Sequence, residues 1–241
     1  MSRTSKRFPS PWAPVGAMFE VTMPSFKSSF LTLAVLGAAA LLEAQTPGAR
    51  IVELQAALSR NGMDAAALKE LGDHWFGRAV NGDKGAVEQG LDIYLSLMQL
   101  EPTQPLHLCR FGSLSTMKGR DAALPLARLW HVQKGLESMG KAVALAPDDL
   151  GIRLTRANTC NALPAQFKQA ETAVQDCEHA GWLLAQAPGR FPQELGFQTR
   201  LLLASSLKKA GREAEARGTL ERLVTEAQGT PFAAQAKELL K

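Results

Sequence analysis

The chain has 241 residues, of which 46% are hydrophobic, 21% charged and 6% aromatic, with a formal net charge of +4. That length holds one or two ordinary domains, and a palette rich in Ala and Leu without alternating Val, Ile, Thr and Tyr excludes a β-sheet protein in favour of close-packed helices. The basic residues form no clustered face beyond Lys208-Lys209-Ala210-Gly211-Arg212, which argues against a nucleic-acid binder.

The first 44 residues read as an N-terminal extension and secretory signal. Lys27 precedes an apolar run from Phe30 to Leu42, and Leu42-Glu43-Ala44 offers small-residue cleavage after Ala44. The run spans 13 residues, short of the roughly 20 that a transmembrane helix needs. An uncleaved anchor is the competing reading, and Met18 and Met23 are alternative translation starts beside the basic region. No Cys follows until Cys109, which excludes a lipidated cysteine at the cleavage site. Export then releases a soluble protein with no stable membrane insertion, carrying 23 basic and 21 acidic residues. Residues 45–63 form a linker or a first short helix.

From residue 64 the pattern is helix, turn, helix, proline. Leu71 and Trp75 share one face of a first helix, with Gly72 making room for a neighbour. Asn81-Gly82-Asp83-Lys84-Gly85 is a turn, and a second helix follows to Pro102, with Leu91, Tyr94, Leu95 and Met98 on one stripe. Apolar phrases also close at Pro147 and Pro188, so the three prolines recur at intervals of 45 and 41 residues. A recurring stop signal marks a recurring helical unit, and such units stack into a solenoid. An irregular helical bundle is the competing architecture.

The placing of large and small residues resembles the tetratricopeptide repeat (TPR). Its hairpins carry a large–small pair, a bulky residue three later, then a small–x3–bulky element and a closing proline. Leu71-Gly72, Gly90, Tyr94 and Pro102 fill those places in the first unit; Phe111-Gly112, Gly135, Met139 and Pro147 fill them in the second. The third unit offers Ala157, Cys160, Ala180 and Pro188, and the fourth, which matches best, Leu203-Ala204, Leu207, Gly211, Ala216 and Leu220. Thr230-Pro231-Phe232 opens a last short helix where a cap belongs. The resemblance covers residues 64–241 and implies an all-α, right-handed α-solenoid of about four degenerate hairpins plus a C-terminal capping helix. The family unit is about 34 residues. The surplus here is assigned to long turns at 81–90 and 119–134, or to longer second helices.

A TPR-like solenoid implies a non-catalytic scaffold that binds a partner protein or peptide in the groove lined by its first helices, and the bacterial periplasm is the setting the resemblance implies. The alternatives are an accessory subunit stacking end-on with another helical protein, and a small-molecule or glycan binder. In the third unit's first helix, Asn158 and Asn161 fall toward the groove if Ala157 and Cys160 face the core. TPR domains that clamp a peptide carboxylate use inner-face Asn and basic residues, and Asn158 matches such a place. The competing role for both Asn residues is to satisfy backbone within the stack. Arg110, Arg153 and Arg156 either add anion-binding forks or lie over neighbouring helices with their stems packed. Cys160 and Cys177 fall on facing helices of one hairpin, where either a disulfide or two buried thiols fits; Cys109 is left as a buried thiol. Trp75, Trp130 and Trp182 are expected between helices. His74, His107, His131 and His179 are scattered, and no nucleophile turn, phosphate loop or metal motif occurs, so neither an enzyme nor a cofactor is expected.

Overall fold

The structure, a computed structural model, describes residues 47–241. The expected leader over 1–44 lies outside the described residues. Within them the chain forms ten α-helices and no strand. Helix α1 (Pro47–Arg60) precedes four hairpins: α2 (Ala65–Val80) with α3 (Lys84–Leu100), α4 (Pro105–Asp121) with α5 (Pro125–Leu145), α6 (Leu150–Ala162) with α7 (Ala170–Gln186), and α8 (Gln193–Lys209) with α9 (Glu213–Glu226). Helix α10 (Pro231–Leu239) closes the array.

Local chemistry sets these boundaries. Asp64 and Asp83 sit at N-caps, each accepting from two backbone amides, and Asp149 accepts from the Ile152 amide at 2.9 Å. The Ala86 amide is the main cause that holds the Asp83 carboxyl below its usual range, against the opposing effect of desolvation. Pro105, Pro125 and Pro231 occupy opening positions of helices, where a missing N–H costs nothing. Pro102, Pro147 and Pro188 instead follow helix ends. The turns within the first and fourth hairpins need a left-handed residue, which Gly82 (φ +93°) and Gly211 (φ +78°) supply.

The surplus length over a standard repeat lies in the helices, not in the turns. The turn after α2 has only three residues, 81–83, and the segment 119–134 is almost wholly helical. Helix α5 runs for 21 residues, and α3, α4, α7 and α8 for 17 each. The third hairpin alone has an inserted 3₁₀ turn, Ala165–Phe167, which ends on Lys168 at φ 54°. On α3 the buried stripe is Val87, Leu91, Tyr94 and Leu97, whereas Leu95 is turned outward.

Buried apolar residues follow the stack. One cluster joins α2, α3 and α4 around Tyr94, Leu97 and Leu114; another joins α8, α9 and α10 around Phe197, Leu220 and Leu223. Between them, Cys109, Met139, Val143 and Ile152 link the second hairpin to the third. First helices pack on one another along the array, α2 on α4, α4 on α6, α6 on α8 and α8 on α10. No two second helices pack together more than marginally. A stack that is close on one side and splayed on the other curves, so the first helices line the inner face. On the outer side α7 and α9 diverge around α8 and leave a cleft of about 650 Å³ lined by Gly181, Leu184, Gly196 and Arg222.

Candidate functional site: the inner groove

The inner face opens into a groove of about 390 Å³ where α6, α8 and α10 converge. Helix α6 contributes Leu154 and Asn158, α8 contributes Leu195, Gln198 and Leu202, and α10 contributes Phe232 and Leu239. Residues 195, 198 and 202 lie at helical spacing on one side of α8, so they form a continuous strip along the groove wall. Phe232 is fixed by Phe197, with ring centroids 5.8 Å apart. Leu239 stays 39% exposed at the rim, and its carbonyl accepts from Lys208. Such a lining offers apolar contact with few free polar groups, which suits the apolar face of a helix or an extended segment.

The two Asn residues border this groove in different ways. Asn158 is exposed, and its Nδ2 donates back to the Leu154 carbonyl at 2.9 Å. Asn161 is only 6% exposed and bridges α6 to α8 through Ser205 and Ser206, each at 3.3 Å. The Asn161 carbonyl also accepts from Lys209, whose pKa burial lowers. Asn161 therefore spends its amide on holding two first helices together.

The three arginines do not converge on the groove. Arg153 and Arg156 of α6 both grip Asp176 of α7, whose side chain is fully buried. Arg156 is bidentate, Nε to Oδ2 at 2.6 Å and Nη2 to Oδ1 at 2.8 Å; Arg153 adds Nη1 to Oδ1 at 2.8 Å. Burial opposes charge on Arg156, but the hydrogen bonds and charge of Asp176 outweigh it and raise its pKa. Arg110 of α4 pairs with Asp73 of α2, donates to the Tyr94 hydroxyl at 2.9 Å and lies 5.5 Å from the Phe76 ring centroid. It ties three helices at the other end of the array. Of the two roles the sequence leaves open for these arginines, the structure places all three across neighbouring helices, engaged by the chain's own carboxylates.

The cysteines are free thiols, all three buried. No Cys160–Cys177 bridge is formed: Cys160 Sγ instead lies 3.8 Å from Gln169 Oε1, and Cys177 packs with Ala157 and Leu202. The apolar wall between the helices accommodates two thiols as small hydrophobes. Trp75 packs beside the first cluster, as expected, but Trp130 and Trp182 are 54% and 53% exposed. Histidines pair singly, His107 with Glu101 at 2.9 Å and His179 with Asp148 at 2.8 Å. Among the described residues no three His, Cys, Asp or Glu side chains form a cluster able to hold a metal, and no helix is long and apolar enough to cross a membrane.

Sequence reasoning missed the α8 wall. Leu195, Gln198 and Leu202 carry a usable signal, since they follow Pro192 at i, i+3 and i+7 of a first helix. It also missed Asp176, the carboxylate set between Val174 and Cys177 on the buried side of α7.

The curved pairing of first helices decides the architecture. This chain is a TPR-like α-solenoid. Its fold matches the crystal structure of a thermophilic TPR protein from Thermus thermophilus with a TM-score of 0.57, over 80% of this chain and 91% of that one. The two are 18% identical, so the likeness is one of fold. No protein-family model and no curated protein sequence matches the chain. For this TPR-like chain the inner groove, rather than the arginines, is the candidate binding surface.

Proposed function

We propose that the protein is a non-catalytic scaffold that holds a segment of a partner protein in the groove between α6, α8 and α10. The observation that carries this reading is the groove itself, an open, mostly apolar concavity on the inner face, lined by Leu154, Leu202 and Phe232. Polar groups at its floor are satisfied within the stack, so recognition rests on apolar side chains of the partner, with Asn158 and Gln198 at the edge. The protein acts after export to the bacterial envelope, a reading supported by the basic, apolar and small-residue order of residues 27–44.

Photocrosslinking tests the groove. A benzophenone side chain replacing Asn158 or Gln198 is expected to capture a partner from envelope extracts, and one replacing Lys141 on the outer side of α5 is not. Capture from Lys141 alone, or equally from all three places, sinks the groove assignment. Mass spectrometry of the protein from cells is expected to place its N-terminus near Gln45; any other start overturns the export reading.

A further inference from the structure

The tip of the second hairpin has a surface that the groove does not use. Leu124, Leu126, Leu129 and Trp130 are 69%, 79%, 42% and 54% exposed, although α4 and α5 pack more closely on each other than any other helix pair. Leu126, Leu129 and Trp130 stand at i, i+3 and i+4, so they share one face of α5, with Leu124 at its N-cap beside them. Single exposed leucines are ordinary, but four large apolar side chains at one hairpin end mark a contact surface.

The charge in the chain around this tip is mostly positive. Residues 117–134 contain Lys118, Arg120, Arg128 and Lys134 against the single carboxylate of Asp121. Asp121 is shared between Arg120 at 2.8 Å and Lys84 at 3.8 Å, and Lys118 is taken by Glu88 at 2.9 Å. Arg128 and Lys134 have no ion pair among the described residues: the Arg128 guanidinium donates to the Ala122 carbonyl at 3.1 Å, and Lys134 Nζ lies 4.8 Å from the Trp130 ring centroid. Glu137, one turn further on, is held by Lys141 at 2.6 Å. The tip therefore presents four apolar side chains beside two cations, Arg128 and Lys134, that no carboxylate pairs among the described residues.

Shape chooses between polyanionic partners. The four residues project from a helix end and line neither the inner groove nor the outer cleft, so they form a protruding surface rather than a wall of either. Three of the four are leucines, which have no π-face on which bases stack, and Lys134 lies over the ring of the fourth, Trp130. A bilayer accepts this pattern: leucines enter the acyl boundary, an indole sits at headgroup depth, and Arg and Lys meet lipid phosphates. We propose that the α4–α5 tip docks the protein peripherally on an anionic lipid surface. Docking of this kind needs no spanning helix and leaves the inner groove open.

Vesicle binding tests this on the chain as cells process it. The protein is expected to co-sediment with vesicles of phosphatidylcholine containing one-third phosphatidylglycerol, and not with phosphatidylcholine alone. Acyl-brominated lipid is expected to quench fluorescence that Trp130→Phe removes. Leu124→Ser with Leu126→Ser, and separately Arg128→Glu with Lys134→Glu, should each weaken binding about tenfold or more while helicity by circular dichroism is unchanged. Ser at the α5 N-cap is itself a favourable cap, so the first pair does not unwind the helix. Leu145→Ser, also exposed but at the far end of α5, is the variant expected to bind normally. Equal binding to neutral vesicles, or undiminished binding by both double variants, overturns the proposal. So does self-association abolished by Leu126→Ser in the absence of vesicle binding, which makes the occupant a second copy.

Discussion

Asp176 shows what a single buried residue does in this stack. Two guanidiniums reach it from α6, and no solvent reaches it at all. Removing the carboxylate leaves Arg156 without a partner and Arg153 with only the Pro147 carbonyl, at 2.7 Å, and breaking a buried pair in this way costs about 3–5 kcal/mol. Asp176→Ala is therefore expected to lower the stability measured by urea unfolding by that amount, and wild-type stability of the variant would show that the clamp is not structural. The same geometry explains how much of the site was legible. Arg153 and Arg156 stand out in the sequence as a cationic pair one turn apart. Their partner lies 23 and 20 residues further on, and only the relative rotation of two helices brings it into reach. The chemistry of the forks was readable, whereas the owner of the carboxylate was not. Thiols follow the same logic of burial. Desolvation pushes Cys109, Cys160 and Cys177 each up to about 12 from an ordinary 9.0. The folded state thus holds these protons more tightly than the unfolded one, and the stability they contribute is full below pH 9.0 and lost as pH rises toward about 12. At neutral pH, iodoacetamide is expected to leave all three unmodified in the folded protein and to label all three after unfolding without reductant. Labelling of only one would reveal a bridge.

At the scale of elements, glycines decide how closely α4 and α5 approach. A Cβ at Gly135 would lie 2.4 Å from the Gly112 carbonyl oxygen and 2.5 Å from Thr116 Cγ2. A backbone atom cannot step aside as a side chain does, so the helices must part. Gly135→Ala is expected to destabilise by about 2 kcal/mol or more. Five residues on, a Cβ at Gly140 meets nothing within 4 Å. Gly140→Ala in the same helix should stabilise by about 0.5–1 kcal/mol through helix propensity. Urea unfolding of the two variants is expected to move in opposite directions, and movement of both the same way removes the close-approach argument. Gly112 was legible as the small member of the Phe111-Gly112 pair, and Gly135 as the small place four residues before Met139. Helix length was less legible. Gly119 and Pro125 look like breakers in the chain, yet Gly119 lies inside α4, Pro125 opens α5, and only three residues separate the two helices. A proline reads as a stop or a start depending on which side the apolar phrase lies, and the apolar tip over 124–130 blurred that side. Outward-facing Trp130 and Trp182 were hidden for a related reason. Helical spacing tells which residues share a face, but not which faces a splayed second helix leaves uncovered.

Across the whole molecule, every hairpin is held by its neighbours alone. Among the described residues, packing runs from α2 through α4, α6 and α8 to α10, with no substantial contact that skips a unit. Stability in such an array is a sum of local terms, so damage at one end should fade toward the other. Helix α10 provides the sharpest case. It buries Ala233 and Ala236 against α8 and α9, and with Phe232 it covers Phe197 and Leu223. Stopping the chain after Thr230 uncovers that cluster and also removes one wall of the inner groove, so any partner held there loses Phe232 and Leu239 together. Hydrogen exchange followed by mass spectrometry separates the two consequences. Peptides from α8 and α9 are expected to exchange much faster in the truncated chain, those from α6 and α7 moderately faster, and those from α2 and α3 at wild-type rates. A uniform rise along the whole chain would mean that the solenoid unfolds as one cooperative body. Graded loss would instead make the last two units the softest part of the array, placing the partner's groove where its own binding energy most stabilises the fold.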